Sequence, residues 1–174
     1  MRTPRPLISR ARLHARVRAL GRRISADYRG RDLHVVGVLH GAFVFMADLV
    51  REIGVPLTCD FLRASSYGAG TLSSGRVRFT LDLEHPIRSR HVLLVEDIVD
   101  TGATAAALLA ALSRKRPASL RLCTLLHKPS RARVPIVPDY VGFRIPDRFV
   151  VGYGMDVDAR WRHLPYVGLL KETP

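Results

Sequence analysis

Three apolar runs of strand length, at residues 35–39, 91–96 and 120–126, alternate with segments of helical pattern, and this alternation limits what the chain can fold into more than any other feature. Short runs that are apolar throughout suit strands buried on both faces, and such strands belong to parallel sheets covered by helices. Before the first run, residues 9–24 place Leu13, Val17, Leu20 and Ile24 at helical spacing among arginines, with Gly21 weakening the end. After it, "FVFMADLVREIG" reads as a helix stopped by Gly54, and after Gly102 "ATAAALLAALSR" has the Ala/Leu composition of another. The predicted fold is α/β, an open, mainly parallel twisted sheet flanked by helices.

The 174 residues fit a single domain, 1–174. "LTCDFLR" (57–63) is strand-like, and residues 76–83 alternate well enough to return antiparallel to it. Between them "ASSYGAGTLSSG" is a polar, glycine-rich stretch of twelve residues, the composition of a flexible functional loop at the tip of an antiparallel pair. Further on, "HKPSRARVPIVP" is a basic loop broken by proline, and "YVGF" and "FVVGYGMD" are short strand candidates on either side of Ile145-Pro146-Asp147.

Composition narrows the setting. Hydrophobic residues are 47% and charged residues 25%, which argues against disorder. No apolar run approaches the roughly 20 residues that span a bilayer, and the arginine-rich start has no apolar signal core, so a cytoplasmic protein is expected. Cys59 and Cys123 lack metal-ligand spacing and read as small buried thiols. The net charge of +13 suits anionic partners, and residues 2–31 hold ten arginines against the single acid Asp27. Of the 28 basic residues 25 are arginine, spread along the chain, which favours a solvated basic face over a nucleic-acid surface.

"VLLVEDIVDTGAT" (92–104) carries the chemistry. A buried strand runs into Glu96, Asp97 and Asp100 and then into the turn Thr101-Gly102-Ala103-Thr104. In a parallel sheet ligands bind beyond the C-terminal strand ends. The amides of such a turn open a helix without intrahelical partners and can hold a phosphate, helped by the helix dipole and two threonine hydroxyls. Carboxylates beside a phosphate repel it unless something compensates. Glu96 and Asp97 can accept from sugar hydroxyls and hold hydrated Mg2+, leaving Asp100 for proton transfer. An acidic helix cap with solvated neighbours is the plainer alternative.

The stretch resembles the phosphoribosyl-pyrophosphate signature of the type I phosphoribosyltransferases, and roughly residues 9–170 resemble the hypoxanthine-guanine branch of that family, with several motifs in the expected order. The resemblance implies that Asp100 to Thr104 hold the 5′-phosphate and that Glu96 and Asp97 meet the ribose hydroxyls and metal. In "LHGAF" the backbone of Leu39, His40 and Gly41 would face the leaving pyrophosphate; the family often has Lys or Arg at the position of His40, and some relatives carry Lys at that of Ala103. "SSYG" resembles the catalytic flexible loop, with Ser66 and Tyr67 closing over the reacting centre and excluding water.

By the same resemblance, Lys128 donates to the purine 6-oxo group, Phe149 stacks on the base and the backbone of Val150 reads its edge. Asp156 is associated with metal and pocket, and Arg162 binds pyrophosphate. A small hood or base-pocket region would draw on the N-terminal segment and about 128–170. The implied activity is transfer of phosphoribose from 5-phosphoribosyl 1-pyrophosphate to N9 of hypoxanthine or guanine, with Mg2+, in a homodimer or homotetramer. A xanthine-preferring transferase is the near alternative. An RNA-binding regulator of the same fold is the distant one, disfavoured because Asp100 and the serine-tyrosine loop are both present.

Overall fold

The computed structural model describes residues 3–65 and 78–170. In chain order the elements are β1 (Arg5–Ile8), α1 (Arg10–Asp27), β2 (Leu33–Val38), α2 (Phe43–Arg51), β3 (Leu57–Ser65), β4 (Arg78–Leu81), β5 (His91–Val99), α3 (Ala103–Ser113), β6 (Ser119–His127), a 3-10 turn (Pro129–Arg131), β7 (Tyr140–Arg144), β8 (Val150–Val151) and β9 (Val167–Leu169). Six strands form one sheet in the order β4-β3-β2-β5-β6-β7. Every pairing in it is parallel except β3 with β4. A second sheet of three strands, β1-β9-β8, is antiparallel.

Alternation along the central strands builds two cores. On β5, Leu93 and Val95 face a cluster with Leu13, Val17 and Ile24 of α1 and Phe45 and Leu49 of α2; Val92 and Leu94 face one with Leu108 and Leu112 of α3. The result is a three-layer α/β/α stack. Each such side chain stabilises the fold by roughly 1.5–3 kcal/mol when fully buried. Both faces of β5 are therefore committed to packing, and its chemistry is confined to its C-terminal end.

Helix boundaries follow local chemistry. Ser9 caps α1, its hydroxyl accepting from the Arg12 amide at 3.4 Å. The helix passes Gly21 and runs to Asp27; Gly21 is buried where a β-carbon would overlap Glu52, so it serves a close approach of α1 to the end of α2 rather than a stop. α2 ends at Arg51, before Gly54, whose amide donates instead to Ser25 Oγ at 2.8 Å. The edge strand β7 is covered by α1: Arg16 donates from Nε to the Gly142 carbonyl at 2.6 Å and from Nη2 to that of Val141 at 2.9 Å, blunting an open edge.

Three sequence expectations change. β5 continues through the acids to Val99, because β6 still offers paired partners at Leu126 and His127 and backbone pairing is indifferent to the side chains it carries. Cys123 is buried as expected, but Cys59 is exposed: on β3 the inward face at this point belongs to Asp60 and Leu62. Asp60 is satisfied there by the amides of Phe61, Glu84 and His85. The small sheet also recruits β1 and β9, four and three residues too short to show a period.

β2 hands the chain to β3 on one side, and β5 hands it to β6 on the other. The sheet order therefore reverses between β2 and β5, the position where parallel α/β sheets open a crevice beyond their strand ends. Residues 39–41 and 100–104 are the two loops that leave it.

Candidate active site

The turn after β5 lines a cleft of about 280 Å3 with Glu96, Asp97, Asp100, Thr101, Gly102 and Thr104. Gly102 precedes α3 with φ +81°, a left-handed conformation suited to glycine, and a β-carbon there would press on the Val134 carbonyl. Ala106 N donates to the Gly102 carbonyl at 2.9 Å, so the amides of Gly102, Thr104 and Ala105 come before the first intrahelical bond. The basic loop backs this turn: the amides of Arg133 and Val134 both donate to the Thr101 carbonyl, at 3.0 and 3.1 Å. Its position is thus fixed from outside, and apart from the Ala103 amide, which donates to Thr101 Oγ1 at 3.4 Å, the amides that open α3 can serve an anion.

Glu96 is buried, and burial together with the charge of Asp97 pushes its carboxyl well above the ordinary range. Asp97 is raised to about 6, chiefly by burial, with Asp156 adding repulsion and Arg162 and nearby amides opposing. Two adjacent acids are thus held in surroundings that disfavour their charges, an arrangement suited to a cation or to hydroxyl donors. Among the described residues no three His, Cys, Asp or Glu side chains gather as a metal cage, so Glu96, Asp97 and Asp156 do not form a closed set. The Leu39–His40 peptide is cis, Gly41 lies against the Asp97 carboxylate, and the His40 side chain is exposed.

Across the crevice, strand register does the positioning. Val99 pairs with His127, and the Lys128 amide donates to the Val99 carbonyl at 3.0 Å. Asp100 and Lys128 therefore directly follow the ends of adjacent strands, and Lys128 Nζ lies 3.6 Å from Asp100 Oδ2. Lys128 is only 6% exposed, and its ammonium is also 3.7 Å from Asp147 Oδ1. Arg131 completes a ring of four charges, with Nε 3.0 Å from Asp100 Oδ1 and Nη1 3.4 Å from Asp147 Oδ2.

The remaining side is built by residues 149–162. Phe149 is 55% exposed at the entrance to β8, a free aromatic face rather than a core residue, while Val150 is buried. Gly154, at φ +101°, approaches the Gly41 carbonyl too closely for any β-carbon, which seats this segment on the 39–41 loop. Tyr153 reinforces it by donating to Asp48 of α2 at 2.5 Å. Arg162 donates to the Gly154 carbonyl at 2.6 Å and pairs with Asp156 at 2.7 Å. The strand-end loops at 39–41, 100–104 and 128 and the segment at 154–162 are thus joined by the Gly41–Asp97, Gly154–Gly41 and Lys128–Asp100 contacts. Ser66 and Tyr67 lie outside the described residues.

Residues 9–158 match the family model described as a phosphoribosyl transferase domain. The chain is 49% identical over 164 residues to the hypoxanthine phosphoribosyltransferase of Salmonella typhimurium, covering 93% of this chain and 92% of that protein, and 48% identical over the same length to that of Escherichia coli K12. The chain belongs to the phosphoribosyltransferase family. Among solved structures it resembles the hypoxanthine-guanine phosphoribosyltransferase of Bacillus anthracis with TM-score 0.91 and 42% identity, over 95% of this chain and 97% of that one. It also resembles a ternary substrates complex of Trypanosoma cruzi hypoxanthine phosphoribosyltransferase with TM-score 0.92 and 41% identity, over 95% and 94%.

In this phosphoribosyltransferase Arg131, Asp147 and Gly154 join the site without standing out in the sequence. Lys128 and Arg131 are three apart across a proline-started 3-10 turn, whose three residues per turn stack positions i and i+3. A Lys-Pro-x-Arg spacing directly after a buried strand was the available signal. Asp147 gave none, because its relation to Lys128 depends on how β7 pairs with β6.

Proposed function

We propose that this chain is a purine salvage enzyme that transfers phosphoribose from 5-phosphoribosyl 1-pyrophosphate to N9 of hypoxanthine and guanine, giving the nucleoside monophosphate and pyrophosphate. The observation that carries the reading is the β5–β6 register, which sets the turn that opens α3 and a buried lysine side by side at one sheet end. The similarity to the transferases named above, over more than nine-tenths of the chain, supports the same reading.

The 5′-phosphate is held by the turn from Asp100 to Thr104, favoured by the start of α3. Glu96 and Asp97 accept from the ribose hydroxyls. With substrate oxygens they would also hold Mg2+, which when bound neutralises charge on the departing pyrophosphate; a hard cation taking one or two carboxylates plus substrate oxygens fits a site without a closed cage. Arg162 and the backbone of residues 39–41 bind the pyrophosphate, and the electrostatic demand is greatest as the glycosidic bond breaks. Asp100 takes the N7 proton of the purine or stabilises the cationic sugar, Phe149 stacks on the base, and Val150 reads its edge. Lys128 donates to the 6-oxo group, and a 6-amino group would leave that buried ammonium unpaired. Ser66 and Tyr67 are assigned to closure over the reacting atoms. We place the enzyme in the cytoplasm as a homodimer or homotetramer; no described helix is long and apolar enough to cross a membrane.

The test is product formation from phosphoribosyl pyrophosphate and Mg2+ with hypoxanthine, guanine, xanthine and adenine in parallel. Nucleotide from the first two, little from xanthine and none from adenine is expected. Absence of product with both hypoxanthine and guanine would end the reading.

A further inference from the structure

The roles assigned above leave Arg131 and Asp147 unused, although both touch groups that the reaction needs. We infer that they are positioning residues, which hold the Asp100 carboxylate and the Lys128 ammonium apart so that each remains free for the purine. The inference rests on the transferase reading.

Lys128 Nζ is 3.6 Å from Asp100 and 3.7 Å from Asp147, nearly equidistant and beyond a direct hydrogen bond to either. The balance leaves the ammonium's donors to a ligand. Asp100 is held from the other side by Arg131 Nε at 3.0 Å, a direct charge-assisted bond on the carboxylate's other oxygen. Arg131 also reaches Asp147 at 3.4 Å, so one planar guanidinium spans both acids. Each acid thus meets both cations, and neither Asp100 nor Lys128 is consumed by the other.

Removing Arg131 takes away its direct bond to Asp100. Lys128, 6% exposed and hence poorly screened, is then left beside that carboxylate at 3.6 Å without Arg131 to compete for it. The pair then closes, occupying the proton acceptor and the donor to the base together. Removing the charge of Asp147 releases Lys128 in the same direction. The side chains of Arg131 and Asp147 are 42% and 52% exposed, so their ion pairs add little to stability. The functional loss should therefore not be matched by unfolding.

The experiment compares wild type, Arg131→Ala, Arg131→Lys and Asp147→Asn by steady-state kinetics with phosphoribosyl pyrophosphate and hypoxanthine, alongside thermal unfolding. Arg131→Ala and Asp147→Asn should lower kcat/KM for hypoxanthine by about tenfold to hundredfold, the scale of a misplaced catalytic group. The KM for phosphoribosyl pyrophosphate and the Tm should stay near wild type, and Arg131→Lys should recover part of the loss. Wild-type kcat and hypoxanthine KM in either neutral variant, a loss confined to the phosphoribosyl pyrophosphate KM, or a loss that follows Tm would overturn the inference. A crystal structure of the Arg131→Ala variant reads the positioning without catalysis: Lys128 closed onto Asp100 supports it, and an unchanged separation overturns it. Wild type making no nucleotide would instead be a failure of the transferase reading.

Discussion

Gly41 lies against Asp97 so closely that a β-carbon at position 41 would overlap the carboxylate. The contact joins the loop leaving β2 to the end of β5 across the reversal of sheet order, and Gly154 packs against the Gly41 carbonyl. Residues 41, 97 and 154 are therefore packed with no room for an added side-chain atom at either glycine.

Gly41→Ala should for this reason damage function more than stability. The Asp97 carboxylate is the movable end of a side chain and can yield, whereas the Gly41 backbone is also held by its close packing with Gly154. The fold should persist with a Tm lowered by a few degrees, and kcat/KM for phosphoribosyl pyrophosphate should fall by about tenfold to hundredfold. Steady-state kinetics with varied donor decides it; an unchanged donor KM would show that this packing does not shape the donor site.

Asp97→Asn should stabilise the ligand-free protein at neutral pH. The folded carboxyl is raised to about 6 from a reference value of 3.8, so ionisation opposes folding. That penalty is complete above pH 6, shrinks as pH falls through 6, and is gone below about 4, where both states bind the proton. Removing it at pH 7.5 should add about 1–3 kcal/mol, read as a higher midpoint in urea, with a smaller gain at pH 5. With phosphoribosyl pyrophosphate and Mg2+ present the order should reverse, because wild type alone keeps the carboxylate. An equal gain at both pH values would show that Asp97 carries no such penalty.

The central sheet was legible because its strands are apolar on both faces and its helices carry their own period, two independent signals that agree. The turn into α3 was legible because Thr101-Gly102-Ala103-Thr104 is a local arrangement, fixed by four consecutive residues. What escaped was non-local. The side of β3 that Cys59 occupies depends on where Asp60 finds its three amides, two of them more than twenty residues away. The ring of Asp100, Lys128, Arg131 and Asp147 exists only through the pairing of β5, β6 and β7. The strands of the small sheet join the two ends of the chain, Arg5 facing Leu169, and have no pattern until they meet.

Lys128→Ala should weaken use of 6-oxopurines without creating use of adenine. The lost bond is made by a buried cation to a neutral acceptor, worth about 1–3 kcal/mol, or roughly tenfold to a hundredfold in kcat/KM for hypoxanthine. Asp100 and Asp147 keep Arg131 in the variant, so their charges remain compensated and the protein should fold. Parallel assays with hypoxanthine and adenine measure both parts. Unaltered discrimination between the two bases would remove Lys128 from base recognition.

His34 should make the fold sensitive to acid. It is fully buried on β2, with Nδ1 2.8 Å from Thr58 Oγ1 and Nε2 without a hydrogen bond among the described residues. Burial lowers its pKa, the nearby charge of Arg90 and His85 lowers it further, and Asp60, 3.8 Å away, only partly opposes them. A histidine depressed in the fold is neutral there, whereas the unfolded chain takes up a proton near pH 6.5; the stability this confers is present above that pH and is lost as pH falls below it. Glu96 and Asp97 titrate with the opposite sign, so wild type alone cannot isolate the effect. The informative quantity is the difference in unfolding free energy between wild type and His34→Asn, measured in urea at pH 7.5 and 5.5. That difference should narrow toward acid, since only wild type carries the buried imidazole that must stay neutral. A difference that holds constant or widens would mean that His34 keeps its proton inside the fold, with Asp60 outweighing burial.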